Sequence, residues 1–429
     1  MARRQDHHEM RVRAGQTAGP GRGLIPALAF ALAAAAPPPA LPALAAAGEP
    51  PAWPFTTDFD SYLLHVHPEV NYALHPDWLA VWERERLGAG IFRGVFGSSA
   101  TDELLVSAQW SLNPELADGL RLRHDIVWQQ QRHLPFDRLE FWLGLEWRLW
   151  RRLAVVVQTF PAERKEEIDL RLGALWTSAD RTCYAQLLYV RQDLVHDEKD
   201  RRGGRTLTAP AGLNWLLRYA RADWSIYSEG TWGRGFARSY ADSQRAPDLT
   251  AHARTNRELT VRCRWEPAPR AAVEVTWFQA EDAERKVFRE DFAPGGSYDY
   301  DYAGWYRLWS ARGLYPVADR WRLRGELHRL QRRAGAEGWR AFAYRRQETM
   351  PAVFAEWSWR PRRIVELGYL GTFYDWRYAG QPARRGYADK VEAALVIGLR
   401  GTAALKLSLS HEVSLERFGG GSVRLLAEF

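Results

Sequence analysis

The sequence predicts an all-β fold, a transmembrane antiparallel up-and-down β-barrel of about 18 strands with 16 as the alternative, and three observations carry that prediction. From about residue 100 onward, apolar and polar residues alternate with period two. Short and long connections take turns along the chain. Tryptophan, with 21 of 429 residues, gathers beside the short connections.

Composition narrows the remaining choices. The chain is 46% hydrophobic, 26% charged and 13% aromatic, which excludes a disordered or low-complexity protein. No run of 18 apolar residues occurs, so no segment suits a membrane-spanning helix. Two cysteines, Cys183 and Cys263, cannot build a disulfide framework. No Cys-x-x-Cys pair offers a zinc, redox or haem site. A formal charge of +7 is spread along the chain rather than clustered, which gives nucleic-acid binding no support.

Residues 1–47 read as a cleaved export leader. Arg3, Arg4, Arg11, Arg13 and Arg22 precede an apolar stretch from Leu24 to Ala36, and Pro37 ends it. That stretch is too short to cross a bilayer but right for a signal peptide, and the small residues Ala43 to Ala47 supply the cleavage site. Met10 offers an alternative start, and Arg3-Arg4 an alternative twin-arginine reading that lacks a nearby apolar segment. Cleavage removes five basic and two acidic groups from the +7, leaving +4. Residues 48–86 then read as a periplasmic lead-in. Within it Asp77 caps a short amphipathic helix through Trp78, Leu79, Val81 and Trp82, which Gly88 ends.

The barrel is expected over residues 87–429. Leu139, Phe141, Leu143, Leu145, Trp147 and Leu149 alternate with Glu140, Gly144, Glu146 and Arg148. The same sorting recurs in Ile168–Trp176, Leu259–Trp265, Trp321–His328, Val391–Leu399 and Ala403–Leu409. A helix would scatter such charges around its surface, whereas a strand puts them on one face. Short turns at 151–152, 178–181, 220–223, 266–270, 316–320, 360–363 and 400–402 alternate with long polar connections near 191–211, 233–256, 280–300, 331–350 and 374–388. Short periplasmic turns and longer outer loops would produce that order. If the last strand, Val423 to Phe429, descends to the periplasm, counting back through the turns makes Leu104–Leu112 descend as well. An ascending partner is then required near Leu87–Phe96, which completes an even set of 18.

Trp147, Trp176, Trp224, Trp265, Trp321 and Trp359 each stand within a few residues of a short turn and in phase with the apolar face. A periplasmic aromatic girdle explains their common height, because indole buries its body in lipid and keeps its N–H near water. Core packing in a soluble β-protein is the competing account.

These features, together with the terminal run in which Val423, Leu425, Ala427 and Phe429 occupy every second position, resemble a Gram-negative outer-membrane β-barrel protein of porin-like kind. The resemblance covers about residues 85–429 at the level of architecture and identifies no subfamily. It implies that those four residues form the signal read by the barrel-assembly machinery. It also implies a location in the bacterial outer membrane, with the lipid bilayer and lipopolysaccharide as surroundings.

A barrel this wide holds water unless something fills it. The face opposite the apolar one carries charges of both signs, with Arg121, Arg123, Arg262, Arg264, Arg322, Arg324, Glu326 and His328 as lumen-lining candidates. Arg262 and Arg264, like Arg322 and Arg324, stack two guanidinia on one strand and would favour anions. Mutual neutralisation in a packed or wet lumen is the alternative. The run Ser297 to Tyr302 reads as a strand end above the membrane, the charged residues Asp197 to Arg202 as an outer loop, and Gly419-Gly420-Gly421-Ser422 as a flexible turn.

Three functions compete: a diffusion pore for small solutes, a sheath around a partner that fills the lumen, and a barrel-embedded hydrolase. The sheath would serve a porin–cytochrome electron conduit or polysaccharide export. No serine or carboxylate-pair motif surrounds the histidines, so a non-enzymatic role is expected, with no catalytic residue, metal or cofactor. Oligomeric state and solute are not encoded in any motif.

Overall fold

The computed structural model describes residues 90–99, 104–131, 138–160, 167–180, 182–196, 204–208, 211–221, 223–234, 236–240, 249–268, 271–288, 300–338, 342–380, 382–399, 404–413 and 416–428. The expected leader and lead-in segment lie outside the described residues. The strands are β1 (Gly90–Ser99), β2 (Leu104–Leu112), β3 (Glu115–Ala117), β4 (Leu120–Gln131), β5 (Arg138–Trp150), β6 (Leu153–Phe160) and β7 (Glu167–Thr177). They continue as β8 (Cys183–His196), β9 (Gly204–Thr208), β10 (Ala211–Arg221), β11 (Trp224–Arg234), β12 (Phe236–Tyr240), β13 (Leu249–Ala268) and β14 (Ala271–Phe288). The last are β15 (Tyr300–Ala318), β16 (Trp321–Gly338), β17 (Phe342–Arg360), β18 (Arg363–Tyr378), β19 (Arg384–Gly398), β20 (Ala404–Glu412) and β21 (Arg417–Glu428).

Eighteen of these strands form a ring. Pairing runs β1–β2–β4–β5–β6–β7–β8–β10–β11–β13 and then through each successive strand to β21, always antiparallel. The later links are equally regular. β21 then pairs back onto β1, from Ile91 opposite Glu428 to Ser99 opposite Gly420, so the sheet closes on itself. The three remaining strands are local additions. β9 and β12 pair with each other beyond the ends of β10 and β11, and β3 makes a small hairpin with β4. The first strand was expected near 87–96; β1 is described from Gly90 to Ser99, and residues 87–89 lie outside the described residues.

Burial is inverted relative to a water-soluble protein. Trp147 and Leu409 are 61% and 64% exposed, while Glu326 and Lys406 are 0% exposed. In β16, Trp321 and Leu323 point outward and Arg322, Arg324, Glu326 and His328 point inward. In water this arrangement would forfeit apolar burial and carry the cost of desolvating charge as well. Surrounded by hydrocarbon, the same arrangement is the favourable one.

Left-handed backbone occurs in the connections at both ends of the barrel, with the non-glycine cases at Arg362 and at Glu416, φ 48°. Arg362, in the two-residue turn between β17 and β18, has φ 60°, and Gly119, between β3 and β4, has φ 71°. At the turn before β8, Ser178 Oγ donates to Asp180 at 2.6 Å, and Thr182 donates its N–H at 3.2 Å and its hydroxyl at 2.9 Å. These donors hold the Asp180 carboxyl below its ordinary pKa.

Two inward glycines bend the wall. A Cβ added at Gly144 would overlap the Val157 carbonyl oxygen, and one at Gly173 the Leu187 carbonyl oxygen. Glycine permits this close approach and turns the sheet at a corner. The bend brings β4 to β8 across three intervening strands, so that Arg123 Nη1 donates to Gln186 Oε1 at 2.9 Å. Gly173→Val is therefore expected to lower stability by about 1–3 kcal/mol. Gly212→Ala, where the nearest atom is at 3.4 Å, should change it by less than about 0.5 kcal/mol. Urea midpoints of the refolded barrel, followed by heat-modifiable mobility, check the difference.

Candidate functional site: the barrel interior

The inward face of β14–β20 carries a connected network of charges. Inward residues recur at every second position, and facing strands set their levels, so arginines and glutamates from neighbouring strands meet. Glu326 Oε1 accepts from Arg312 Nε at 3.1 Å and lies 3.0 Å from Arg324 Nε. Arg324 Nη1 reaches Glu356 at 3.0 Å, and Arg322 Nε donates to the other Glu356 oxygen at 2.7 Å. Arg324 Nη2 is 3.7 Å from Glu366, and Lys406 Nζ donates to Glu366 at 2.5 Å. The network thus links cations and carboxylates from β15 to β20, with Glu356 and Glu366 directly opposite each other and bridged by Arg324. Arg324 is only 2% exposed, so these charges are neutralised by one another rather than by bulk water.

His328 belongs to the same network. Its Nε2 is 3.0 Å from Glu326 Oε2, and its Nδ1 is 2.8 Å from Ser310 Oγ. A carboxylate only accepts, so Nε2 carries the proton and Nδ1 accepts from the Ser310 hydroxyl. Serine, histidine and carboxylate stand in the order of a hydrolytic relay, and Ser310 and His328 are both buried. Sequence reading missed Ser310 because only the register of β15 on β16, which sets it opposite His328, brings the two together.

An apolar layer adjoins the charges. Phe278, Leu308, Leu330, Met350, Ala352, Phe354 and Leu370 form one buried cluster on the inward face. The Phe354 ring lies against Gly368, where a Cβ would overlap it, and the Arg324 guanidinium sits 4.0 Å above the same ring. On the other side of the barrel, Ala154, Val156, Leu175, Tyr184, Leu188, Leu216 and Tyr227 form a second cluster. Nearby, Arg123 Nε donates to Glu146 at 2.8 Å, and the Arg171 guanidinium stacks 3.5 Å from the Trp142 ring. The sequence reading listed only charged residues on this face, so both clusters were missed. Their signal is legible in retrospect as adjacent apolar residues that interrupt the alternation: Val155-Val156, Leu187-Leu188, Leu216-Leu217, Trp277-Phe278, Leu308-Trp309 and Val353-Phe354.

The eight lumen candidates divide into two groups. Arg123, Arg322, Arg324, Glu326 and His328 point inward and are buried in hydrogen bonds and ion pairs. Arg262 and Arg264 retain 13% and 21% side-chain exposure, with Glu274 3.6 and 4.0 Å away and Glu266 accepting from Arg264 Nε at 2.6 Å. Arg121 is half-buried and stands opposite Glu146. Stacked guanidinia facing open water were expected on two strands, and only β13 keeps solvent reach, because the network takes up Arg322 and Arg324.

Of the six girdle candidates, Trp147, Trp176, Trp224, Trp265 and Trp321 are exposed on the outer face. Trp224 stacks on Trp265 with centroids 5.9 Å apart. Trp321 stacks at 5.9 Å on Trp357, a residue not singled out from sequence. Trp359 is half-buried, with the Arg360 and Arg363 guanidinia 5.3 and 5.4 Å from its ring. Val423 is exposed on β21 and Leu425 half-buried. Ala427 lies on β21 opposite Phe92, and Phe429 lies outside the described residues. Cys183 and Cys263 are free thiols. Among the described residues no group of three His, Cys, Asp or Glu side chains could hold a metal ion.

A closed sheet with paired charges inside and apolar side chains outside defines a transmembrane β-barrel of the outer-membrane type, porin-like in build. No family model and no curated protein matches the chain. Among solved structures it is similar to a bacterial polysaccharide outer membrane secretin, at 11% identity and TM-score 0.39, covering 80% of this chain and 98% of that one. A loop L8 deletion mutant of Vibrio cholerae OmpT, an outer membrane protein, is 10% identical at TM-score 0.38, covering 79% and 99%. Pseudomonas aeruginosa OccK11 (OpdR) is 14% identical at TM-score 0.38, covering 79% and 93%.

Replacing Glu356 with alanine would take one buried counter-charge from both Arg322 and Arg324. The expected loss is about 3–5 kcal/mol, read from urea midpoints of the refolded barrel. Glu348→Ala, which breaks the 2.5 Å contact with Arg346, should cost less.

Proposed function

We propose that this chain is an outer-membrane channel for the passive passage of small solutes, exported by a cleaved signal peptide and inserted by the barrel-assembly machinery. The solute route runs along the β10–β13 sector and favours anions. The observation that supports this reading is the contrast between the two parts of the wall. Arg262 and Arg264 on β13 keep 13% and 21% side-chain exposure; both lie within 4.0 Å of the buried Glu274, and Arg264 also pairs with the exposed Glu266 at 2.6 Å. A passage bordered by accessible guanidinia attracts anions and repels cations. The buried network on β14–β20 serves as structural fill that narrows the conduit.

A second reading draws on that same buried sector. A wall of 18 strands encloses more space than one layer of side chains fills, so charges that are fully buried suit a barrel closed around a partner. In that case the protein is a sheath for a trans-outer-membrane complex. Neither reading requires a catalytic residue or a cofactor.

Planar-bilayer recording of the refolded mature chain tests the proposal. Discrete steps smaller than those of a wide, water-filled barrel are expected, with a reversal potential of anionic sign under a salt gradient. Arg262→Glu with Arg264→Glu should move that potential toward cation preference. Silence from a folded, heat-modifiable barrel would overturn the channel reading in favour of the sheath.

A further inference from the structure

The geometry points to a binding site for a phosphorylated lipid of the outer leaflet on the outer surface of β13–β18, formed around Arg333, Arg345 and Arg377. These arginines occupy one register row. Arg333 stands directly opposite Arg345, and Arg345 directly opposite Arg377. The row extends through Trp305, opposite Arg333, and Glu281, opposite Trp305, to Arg257. A groove of about 840 Å³ runs along it and is lined by these residues.

The charge pattern is the first argument. Residues directly opposite on antiparallel strands have Cβ atoms about 4.5–5.5 Å apart, and like charges in that position are destabilising. Three consecutive strands nonetheless present arginine at this level. The carboxylates at hand are few: Glu281 is 3.9 Å from Arg257, and Asp375 accepts from both Arg377, at 3.1 Å, and Arg385, at 3.0 Å. Arg333 and Arg345 have no carboxylate partner among the described residues. An external anion would turn this repulsion into attraction, and guanidinium matches phosphate geometry better than ammonium does.

Height on the barrel is the second argument. Arg333 is twelve residues above Trp321 on β16, and Arg345 twelve above Trp357 on β17. With a rise of about 3.3 Å per residue and a tilt of about 40°, the row stands about 30 Å above the stacked tryptophans. The apolar band of such a barrel is about 25 Å tall, so the row lies at the level of the outer headgroups. Below it, Trp277 and Trp309 are opposite each other and exposed, a surface for acyl chains. The Trp305 ring has the Arg307 and Arg333 guanidinia 4.7 and 5.8 Å from its centre, an interfacial aromatic with cations held beside it. Anionic headgroup above and hydrocarbon below describe a lipid rather than a free phosphate. The inference rests on the membrane-spanning reading of the barrel but not on what passes through it.

The test uses the refolded full mature chain in a zwitterionic detergent, with a bisphosphorylated glucosamine lipid, its dephosphorylated form and inorganic phosphate as probes. Wild type should bind the phosphorylated lipid at least ten-fold more tightly than the dephosphorylated one. The triple variant Arg333→Gln, Arg345→Gln, Arg377→Gln should lose at least ten-fold in affinity for it, and raising salt should weaken wild type more than the variant. If the triple variant fails to fold, Arg345→Gln alone should lose about three-fold. Unchanged binding in the folded variant, equal affinity for the dephosphorylated lipid, or full displacement by millimolar inorganic phosphate would overturn the assignment.

Discussion

Closure of the sheet between β1 and β21 is the constraint on which the rest depends. In hydrocarbon, a free strand edge would leave a row of N–H and C=O groups without partners, each costing several kcal/mol. Closing the ring removes that edge. It also commits every strand to one face in lipid and one face in the interior. The period-two alternation, the outward tryptophans and the inward charges all follow from this single commitment. A register slip of one residue in any strand would drive arginine and glutamate into lipid. The long, nearly unbroken registers of β13 to β19 are the structural expression of that penalty.

Within the ring, the two halves of the wall solve the same problem differently. On β14–β20, charge is balanced among arginine, glutamate and lysine, with Glu326 and Glu356 each serving two cations. On β4–β8, glycine corners bend the sheet until Arg123 reaches Gln186, and apolar side chains occupy the remaining space. Neither half resembles an open, water-lined wall. On β13, Arg262 and Arg264 keep 13% and 21% side-chain exposure beside Glu274 and Glu266.

Much of the architecture was legible because lipid and lumen impose opposite chemistries on alternate residues. The count of 18 strands, the turns at 151–152 and 360–363 and the outward phase of five tryptophans are all read directly from that contrast. What escaped was whatever depends on register between strands distant in sequence. Ser310 meets His328 only across the β15–β16 ladder, and Trp357 rather than Trp359 stacks on Trp321 because the β16–β17 register sets Trp357 directly opposite it. The arginine row is equally invisible in one dimension, since Arg333, Arg345 and Arg377 align only once the strands pair. The interior apolar clusters were hidden for another reason. Reading one face as lipid-directed led to listing only charged residues on the opposite face, although doublets such as Val353-Phe354 carry the contrary signal.

The central claim is that odd-numbered residues of β16 face lipid and even-numbered ones face a packed interior. Spin labels placed singly at positions 321–328, in a background with Cys183 and Cys263 changed to serine, would test it most directly in a bilayer. Labels at 321, 323, 325 and 327 should collide readily with oxygen and little with a water-soluble nickel reagent. Labels at 322, 324, 326 and 328 should be shielded from both. Nickel accessibility on the odd positions, or oxygen accessibility without a period of two, would contradict the inverted barrel.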